Sequence, residues 1–259
     1  MIITSDQAKS SELTSLYMQN WKKDKQKAIA YLQSRKEICS QQHVLHALMN
    51  HNHPSLEHLS LADFGCGGGW STYHLHNYFG IKNFTLFDLS SFALELAIDN
   101  LNPLCLESLK FVHEDICNPV HLPAENFDVA ISMMTLCCLD DQATFLQNIL
   151  KSLKKGGVLY MSTLYNRWHP DIDLEILQKD KTRNGNYLYK VISRNTVQSI
   201  IGSMEHVYTF QEHDFNIDVE LARPLDGGVG TYTIPTDKKN IEISGGALFQ
   251  WSFLVFYRS

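Results

Sequence analysis

Three glycines that alternate with single residues, Gly65, Gly67 and Gly69, most constrain what this 259-residue chain can fold into. An apolar segment ending in Asp63 comes directly before them, and a helical pattern over 70–79 follows. A strand that enters a helix through a glycine-rich turn is the first βα unit typical of nucleotide-binding α/β sheets. Glycine suits such a turn because its backbone reaches unusual φ/ψ values and lets a ligand come close.

The glycine spacing argues against a dinucleotide site. A G-x-G-x-x-G fingerprint counted from Gly65 requires glycine at position 70, which is Trp70. The sequence instead reads D-x-G-x-G-x-G from Asp63. This pattern resembles motif I of the class I S-adenosylmethionine (SAM) dependent methyltransferases. The resemblance implies that Asp63 interacts with the ammonium of the SAM amino-acid tail, directly or through water, and that the glycines lie against the methionine portion of SAM. A chance glycine-rich turn is the alternative.

Acidic residues follow the next two predicted strands. Asp88 ends the apolar segment 83–87 and lies 19 residues after Gly69, where a carboxylate can accept both ribose hydroxyls of an adenosine. The alternative is an acid that favours a helix start. After the strand 109–113, the resemblance implies that Asp115 accepts from the adenine amino group and that the Ile116 amide meets a ring nitrogen. The alternative for Asp115 is a turn-forming role.

Further segments extend the resemblance over about 58–165. The apolar strand 127–132 resembles motif IV, and the loop 133–141 lies where the methyl group and its acceptor should meet. Residues 153–159 resemble the family's post-motif signature. The cofactor-binding residues implied by the resemblance are Asp63, Gly65, Cys66, Gly67, Gly69, Asp88, Leu89, Asp115, Ile116 and Met133.

The element pattern predicts an α/β fold with a seven-stranded, mostly parallel sheet flanked by helices and with its last strand antiparallel. We expect an N-terminal helical cap over 1–54 and a SAM-binding domain over 55–259. A β-rich insertion or lid is expected over about 213–247, before the last strand. So long a connection inside a domain is usually functional or partly disordered.

Aromatic residues near the expected acceptor site predict a substrate pocket. Tyr165 and Trp168 follow the fifth predicted strand and are predicted pocket walls, and Arg167 is a predicted anchor for an anionic group. Trp21 of the cap is a further candidate; the alternative is that it packs the cap onto the sheet.

The sequence identifies no catalytic residue and no metal site. His121, His169 and His213 could serve as a base, but each is in no recognisable motif and is more often structural. Cys137 and Cys138 are interpreted as small packing residues, since no histidine spacing completes a zinc site.

The composition and charge of the chain limit the kinds of partner that it is expected to bind. Twenty-two basic against 28 acidic residues give a net charge of −6 without a basic patch, so neither nucleic acid nor an anionic membrane is expected as a partner. Six cysteines without a C-x-x-C motif indicate reduced thiols. The chain shows neither a signal-peptide pattern nor an apolar run of the roughly 18 residues that span a bilayer. A cytoplasmic protein, monomeric or homodimeric, is expected.

The resemblance therefore implies transfer of a methyl group from SAM to an oxygen or nitrogen of a small molecule, with S-adenosylhomocysteine as product. The Asn/Asp-Pro-Pro-Tyr motif of many methyltransferases that act on base amino groups is absent. Two alternatives stay open. One is a SAM-binding protein that does not methylate, and the other is a protein or RNA methyltransferase.

Overall fold

The computed structural model describes most of the chain. Two predicted pocket residues, Trp21 and Trp168, and one candidate base, His169, lie outside the described residues. The described ranges are 2–14, 25–53, 55–167, 170–177, 186–214, 216–217, 231–238, 240–244 and 251–259.

The secondary structure alternates between strands and helices through the middle of the chain. The helices are α1 Asp6–Thr14, α2 Lys25–Gln33, α3 Ser40–Asn52, α4 Trp70–Phe79, α5 Ser91–Leu101, α6 Gln142–Ser152 and α7 Arg194–Gly202. The strands are β1 Ile2–Thr4, β2 Ser60–Phe64, β3 Asn83–Asp88, β4 Ser108–His113, β5 Phe127–Met133, β6 Leu153–Asn166, β7 Ile172–Leu177, β8 Asn186–Ser193, β9 Tyr208–Asp214, β10 Asn216–Ile217, β11 Thr231–Pro235, β12 Asn240–Ser244 and β13 Trp251–Arg258.

One sheet organises the fold in the order β1-β4-β3-β2-β5-β6-β13-β9. The pairs from β1 to β6 are parallel, whereas β13 runs antiparallel to both β6 and β9. The predicted mostly parallel sheet with an antiparallel last strand is therefore confirmed. Parallel strands end at the same edge, so the loops after β2, β3, β4 and β5 meet there.

Helices bury apolar residues on both faces of the sheet. On one face, α3, α4 and α5 contribute core residues such as Leu45, Leu75 and Leu94. On the other face, α6 and α7 contribute Phe145 and Val197 among others. The side chains of Ser90, Asp141 and Ser193 accept hydrogen bonds at the N-termini of α5, α6 and α7 and so fix where these helices begin.

The structure differs from the sequence prediction in two places. The segment predicted as a helical cap begins with strand β1, which pairs with β4, and its helix α3 packs onto the sheet through Leu45. β7 and β8 form a hairpin beside the end of β6, in addition to the seven expected strands. The described part of the insertion forms a separate sheet of β10, β12 and β11.

Candidate active site

A cavity lies at the edge where the parallel strands end. It encloses about 1270 Å³ of empty space, part of which is open to solvent. Of the ten residues predicted to bind the cofactor, all but Asp63 and Gly69 line it. These lining residues are Gly65, Cys66, Gly67, Asp88, Leu89, Asp115, Ile116 and Met133.

At two positions of the turn after β2, neighbouring side chains come so close that glycine is favoured. Gly65 has a φ of 77°, and a Cβ there would lie 2.1 Å from Oγ1 of Thr135, on the loop after β5. Gly67 has a φ of 54°, and its Cβ would lie 3.1 Å from Cδ2 of Leu32 on α2. A side chain at either position would strain the backbone and would contact a neighbouring residue, Thr135 from position 65 and Leu32 from position 67.

Gly69 and Asp63 support the turn from behind and are not among the residues that line the cavity. Gly69 begins α4 with a φ of 77°, and a Cβ there would lie 2.9 Å from Cδ1 of Leu101 on α5. Asp63 is 1% exposed and accepts a 2.9 Å hydrogen bond from Oγ1 of Thr72. Its burial raises the pKa of this carboxyl to about 7.

Backbone amides hold Asp88 at the tip of β3. One carboxylate oxygen accepts from the amide of Gly67 at 2.8 Å, and the other accepts from the amide of Ser90 at 2.8 Å. These two bonds join the carboxylate to the glycine turn and to the start of α5. The carboxylate is therefore fixed at the cavity wall before any ligand enters.

The end of β4 carries one predicted acid and one that the sequence analysis missed. Oδ1 of Asp115 accepts from the amide of Cys117 at 2.9 Å, so its turn-forming role is present alongside its place in the lining. The preceding Glu114 is 1% exposed and also lines the cavity. It accepts from Oγ of Ser5 at 3.1 Å and from the amide of His121 at 2.7 Å. Its position directly after a buried strand was the available signal.

The wall opposite the glycine turn comes from α2, α3 and the residues between them, which lie within the predicted helical cap, but none of its lining residues was predicted individually. Gln41, in the first turn of α3, is 2% exposed. Polar residues at a helix start carry no spacing that would distinguish them from a solvated face. The lining residues on this wall are Tyr31, Leu32, Arg35, Cys39, Gln41 and Gln42.

Tyr165 and Arg167, predicted as a pocket wall and an anchor, are not among the described residues that line this cavity. The hydroxyl of Tyr165 donates to Glu212, and burial raises the pKa of this phenol. Nε of Arg167 lies 3.4 Å from Glu212, which also accepts from Nε of Arg194 at 2.6 Å. Both predicted residues thus belong to an ion-pair cluster around Glu212.

The proton-accepting side chains in the described lining include the acids Asp88, Glu114 and Asp115, and each of them already accepts a hydrogen bond from a main-chain amide. This described lining contains no histidine. His121 contacts Glu114 through Nδ1 at 2.9 Å, and His213 lies on β9, outside the lining. Burial raises the pKa of the thiol of Cys66 far above its ordinary value and that of Cys117 to about 12, so both stay protonated at neutral pH.

Comparison with known proteins supports the assignment of the fold. Residues 62–161 match the family model described as a methyltransferase domain. A malonyl-[acyl-carrier protein] O-methyltransferase from Ilyobacter polytropus is 27% identical over 127 residues, which are 49% of this chain and 46% of that protein. The match thus spans about half the length of that curated relative.

Two solved structures share the fold at low sequence identity. One is a SAM-dependent methyltransferase from Mesorhizobium loti, with a TM-score of 0.51 and 15% identity, covering 82% of this chain and 96% of that one. The other is the 1,6-didemethyltoxoflavin-N1-methyltransferase of Burkholderia thailandensis with bound S-adenosylhomocysteine, with a TM-score of 0.55 and 14% identity over 98% and 90% of the two chains. Among the described residues of the present structure, none of the helices has the length and apolar character needed to cross a membrane.

Proposed function

We propose that this chain, which belongs to the class I SAM-dependent methyltransferases, transfers the methyl group of SAM to a small-molecule acceptor, and that the acceptor atom is a carboxylate oxygen. One observation carries the choice of acceptor. The cavity extends beyond the predicted cofactor residues, its described lining contains no histidine, and each of its three acids already accepts a hydrogen bond from a main-chain amide. A carboxylate is already ionised at neutral pH and needs no general base.

The cofactor would occupy the end of the cavity formed by Gly65, Gly67, Asp88 and Asp115, which we call the nucleoside end. There Asp88 would accept the ribose hydroxyls, Asp115 would accept from the adenine amino group, and the glycine turn would lie along the methionine portion. The three acids Asp88, Glu114 and Asp115 in the lining suit a ligand that carries a sulfonium cation.

The remaining space would hold the acceptor at the end formed by Gln41, Met133 and Met134, which we call the acceptor end. In the reaction a carboxylate oxygen attacks the methyl carbon, a carbon–oxygen bond forms, and the carbon–sulfur bond breaks with its electron pair going to sulfur. The charges of the sulfonium and the carboxylate cancel, and no proton moves. The protein's task is to align the two reactants and exclude water.

The similar proteins differ in their acceptors and in the atom that is methylated. The Ilyobacter polytropus relative is an O-methyltransferase of malonyl-[acyl-carrier protein], and the Burkholderia thailandensis protein methylates a nitrogen. An unprotonated nitrogen would also need no base, so N-methylation is the second candidate function.

Calorimetric titration with SAM and S-adenosylhomocysteine tests the cofactor. We expect micromolar binding of both. Labelled SAM is then incubated with the protein and with malonyl-coenzyme A, glutarate or benzoate. A methyl ester releases its label as volatile methanol in base, whereas an N-methyl product retains it. Binding of SAM without any S-adenosylhomocysteine formation would instead favour a protein that does not methylate.

A further inference from the structure

Gln41 is a buried polar residue whose structural bonds use only half of its amide. It lies in the first turn of α3 and is 2% exposed, yet it lines the cavity. Its Oε1 accepts a 3.1 Å hydrogen bond from Oγ of Ser162. Its Nε2 is buried and has no hydrogen-bond partner among the residues that the structure describes.

The orientation of this amide follows from its neighbours. Oγ of Ser162 also accepts from the amide of Met134 at 3.1 Å, so its own proton is available for one acceptor. Oε1 of Gln41 is that acceptor. In the reverse orientation of the amide, Ser162 would face two donors and its proton would have no acceptor here. The NH₂ group is therefore the half without a protein partner.

The sheet places Gln41 at the acceptor end. Ser162 on β6 pairs with Met133 of β5. Since β3, β2, β5 and β6 are successive strands, β6 lies three strand spacings, or roughly 14 Å, from Asp88 on β3. Gln41 is thus far from the groups expected to hold ribose and adenine. Next to it, Met134 adopts a φ of 60°, which a residue with a side chain rarely adopts.

A buried NH₂ group without a partner is unfavourable, and a ligand oxygen that accepts from it removes the penalty. A carboxylate has two oxygens, of which only one attacks the methyl group. We propose that Nε2 of Gln41 donates to the non-reacting oxygen of the acceptor carboxylate and so turns the other oxygen toward the methyl group. This assignment rests on the proposed function and adds the residue that selects and orients the acceptor.

The test compares Gln41→Met with the wild-type protein, using malonyl-coenzyme A, glutarate and benzoate as acceptor probes. Met keeps the length of the side chain but has no donor. We expect a roughly 10- to 100-fold rise in KM for the methylated probe, since one hydrogen bond to a charged oxygen is lost. The Kd for S-adenosylhomocysteine should change less than twofold.

Two further variants separate orientation from simple packing. Gln41→Glu should raise KM more than Gln41→Met does, because it places a second carboxylate against the acceptor. Ser162→Ala should give a smaller rise, because the amide loses the bond that orients it but keeps its donor. Gln147→Met makes the same substitution on α6, outside the cavity lining, and should leave KM unchanged.

Several outcomes would overturn the assignment of Gln41. An unchanged KM in Gln41→Met would do so, as would a wild-type protein that methylates none of the three probes. A large fall in melting temperature without ligand would mean that the residue is structural. A loss of S-adenosylhomocysteine affinity equal to the rise in KM would place it on the cofactor. If wild-type protein binds neither SAM nor S-adenosylhomocysteine, the proposed function itself fails first.

Discussion

At the nucleoside end of the cavity, main-chain groups hold the functional residues in place. At the acceptor end, the functional group of Gln41 is a side chain on a helix. Two backbone amides donate to the carboxylate of Asp88. The side chain of Thr135 leaves no room for a Cβ at Gly65. Among the described residues, the side-chain amide of Gln41 has one hydrogen-bond partner, Oγ of Ser162. The first kind of site tolerates almost no change in its backbone, while the second can be altered by changing single side chains. The following predictions test this contrast.

The largest effect is expected at Gly65. Gly65→Ala should lower the free energy of unfolding by roughly 2–5 kcal/mol and abolish measurable SAM binding, because it adds backbone strain and a collision with Thr135. Denaturant melts and calorimetry measure both.

Gly156→Ala is the matched control. Gly156 has a φ of 78°, but a Cβ there meets nothing within 4 Å. Gly156→Ala should therefore lower the free energy of unfolding only by the backbone strain, about 1–2 kcal/mol, and should leave SAM binding intact. Equal losses in both variants would mean that the close approach of Thr135 contributes nothing.

The next largest effect concerns Asp88. Asp88→Ala should weaken S-adenosylhomocysteine binding by roughly 100-fold, since hydrogen bonds to a charged group contribute about 1.5–3 kcal/mol each. Asp99→Ala, which removes an exposed acid from α5, should leave the titration unchanged. A folded Asp88→Ala protein with wild-type affinity would remove this carboxylate from the cofactor site.

Stability at the turn should decline as pH rises. The folded protein keeps the proton of Asp63 up to about pH 7, whereas the unfolded chain releases it near 3.8. Wild-type stability attributable to this group is therefore lost as pH rises between these values. Asp63→Asn, which has no proton to release, should gain melting temperature relative to wild type across this range. Asp99→Asn should show no such trend.

Stability of the helical wall should show the opposite dependence, with the smallest effect. The ring of His46 on α3 stacks on that of Tyr78, with 4.5 Å between the ring centroids. Burial lowers the pKa of His46 to about 4, with smaller contributions from the nearby His74 and His43. The unfolded chain takes up this proton near pH 6.5, so stability falls as pH drops from 6.5 toward 4. The melting temperature of His46→Phe should exceed that of wild type by a margin that grows as pH falls from 6.5 toward 4.

A control on the same helix completes this test. His51→Phe changes an exposed histidine of α3 and should follow the wild-type melting curve at every pH. If His51→Phe and His46→Phe respond alike, the dependence does not come from the buried contact between α3 and α4.

The contrast also explains what the sequence could predict. Gly65 and Asp88 were identifiable because a turn and a strand end fix both the residue type and its spacing. Gln41 and Glu114 were missed because their burial depends on distant segments, through Ser162 and Ser5 respectively. No local pattern records such contacts.

The position of Tyr165 outside the described lining has a different physical cause. The prediction assumed that a residue following the fifth strand of the nucleotide-binding fold faces the pocket, but β6 continues to Asn166 and pairs there with β8. Alternation along this longer strand directs Tyr165 into the core cluster that contains Phe145 and Val197.

The hold of two amides on Asp88 has a consequence for the kinetics of ligand capture. A carboxylate that is already immobile loses little conformational entropy when a ligand docks, and no rearrangement of that group has to precede docking. Affinity at this end of the cavity should then be governed by how slowly the ligand leaves, with an arrival rate close to that set by diffusion and orientation.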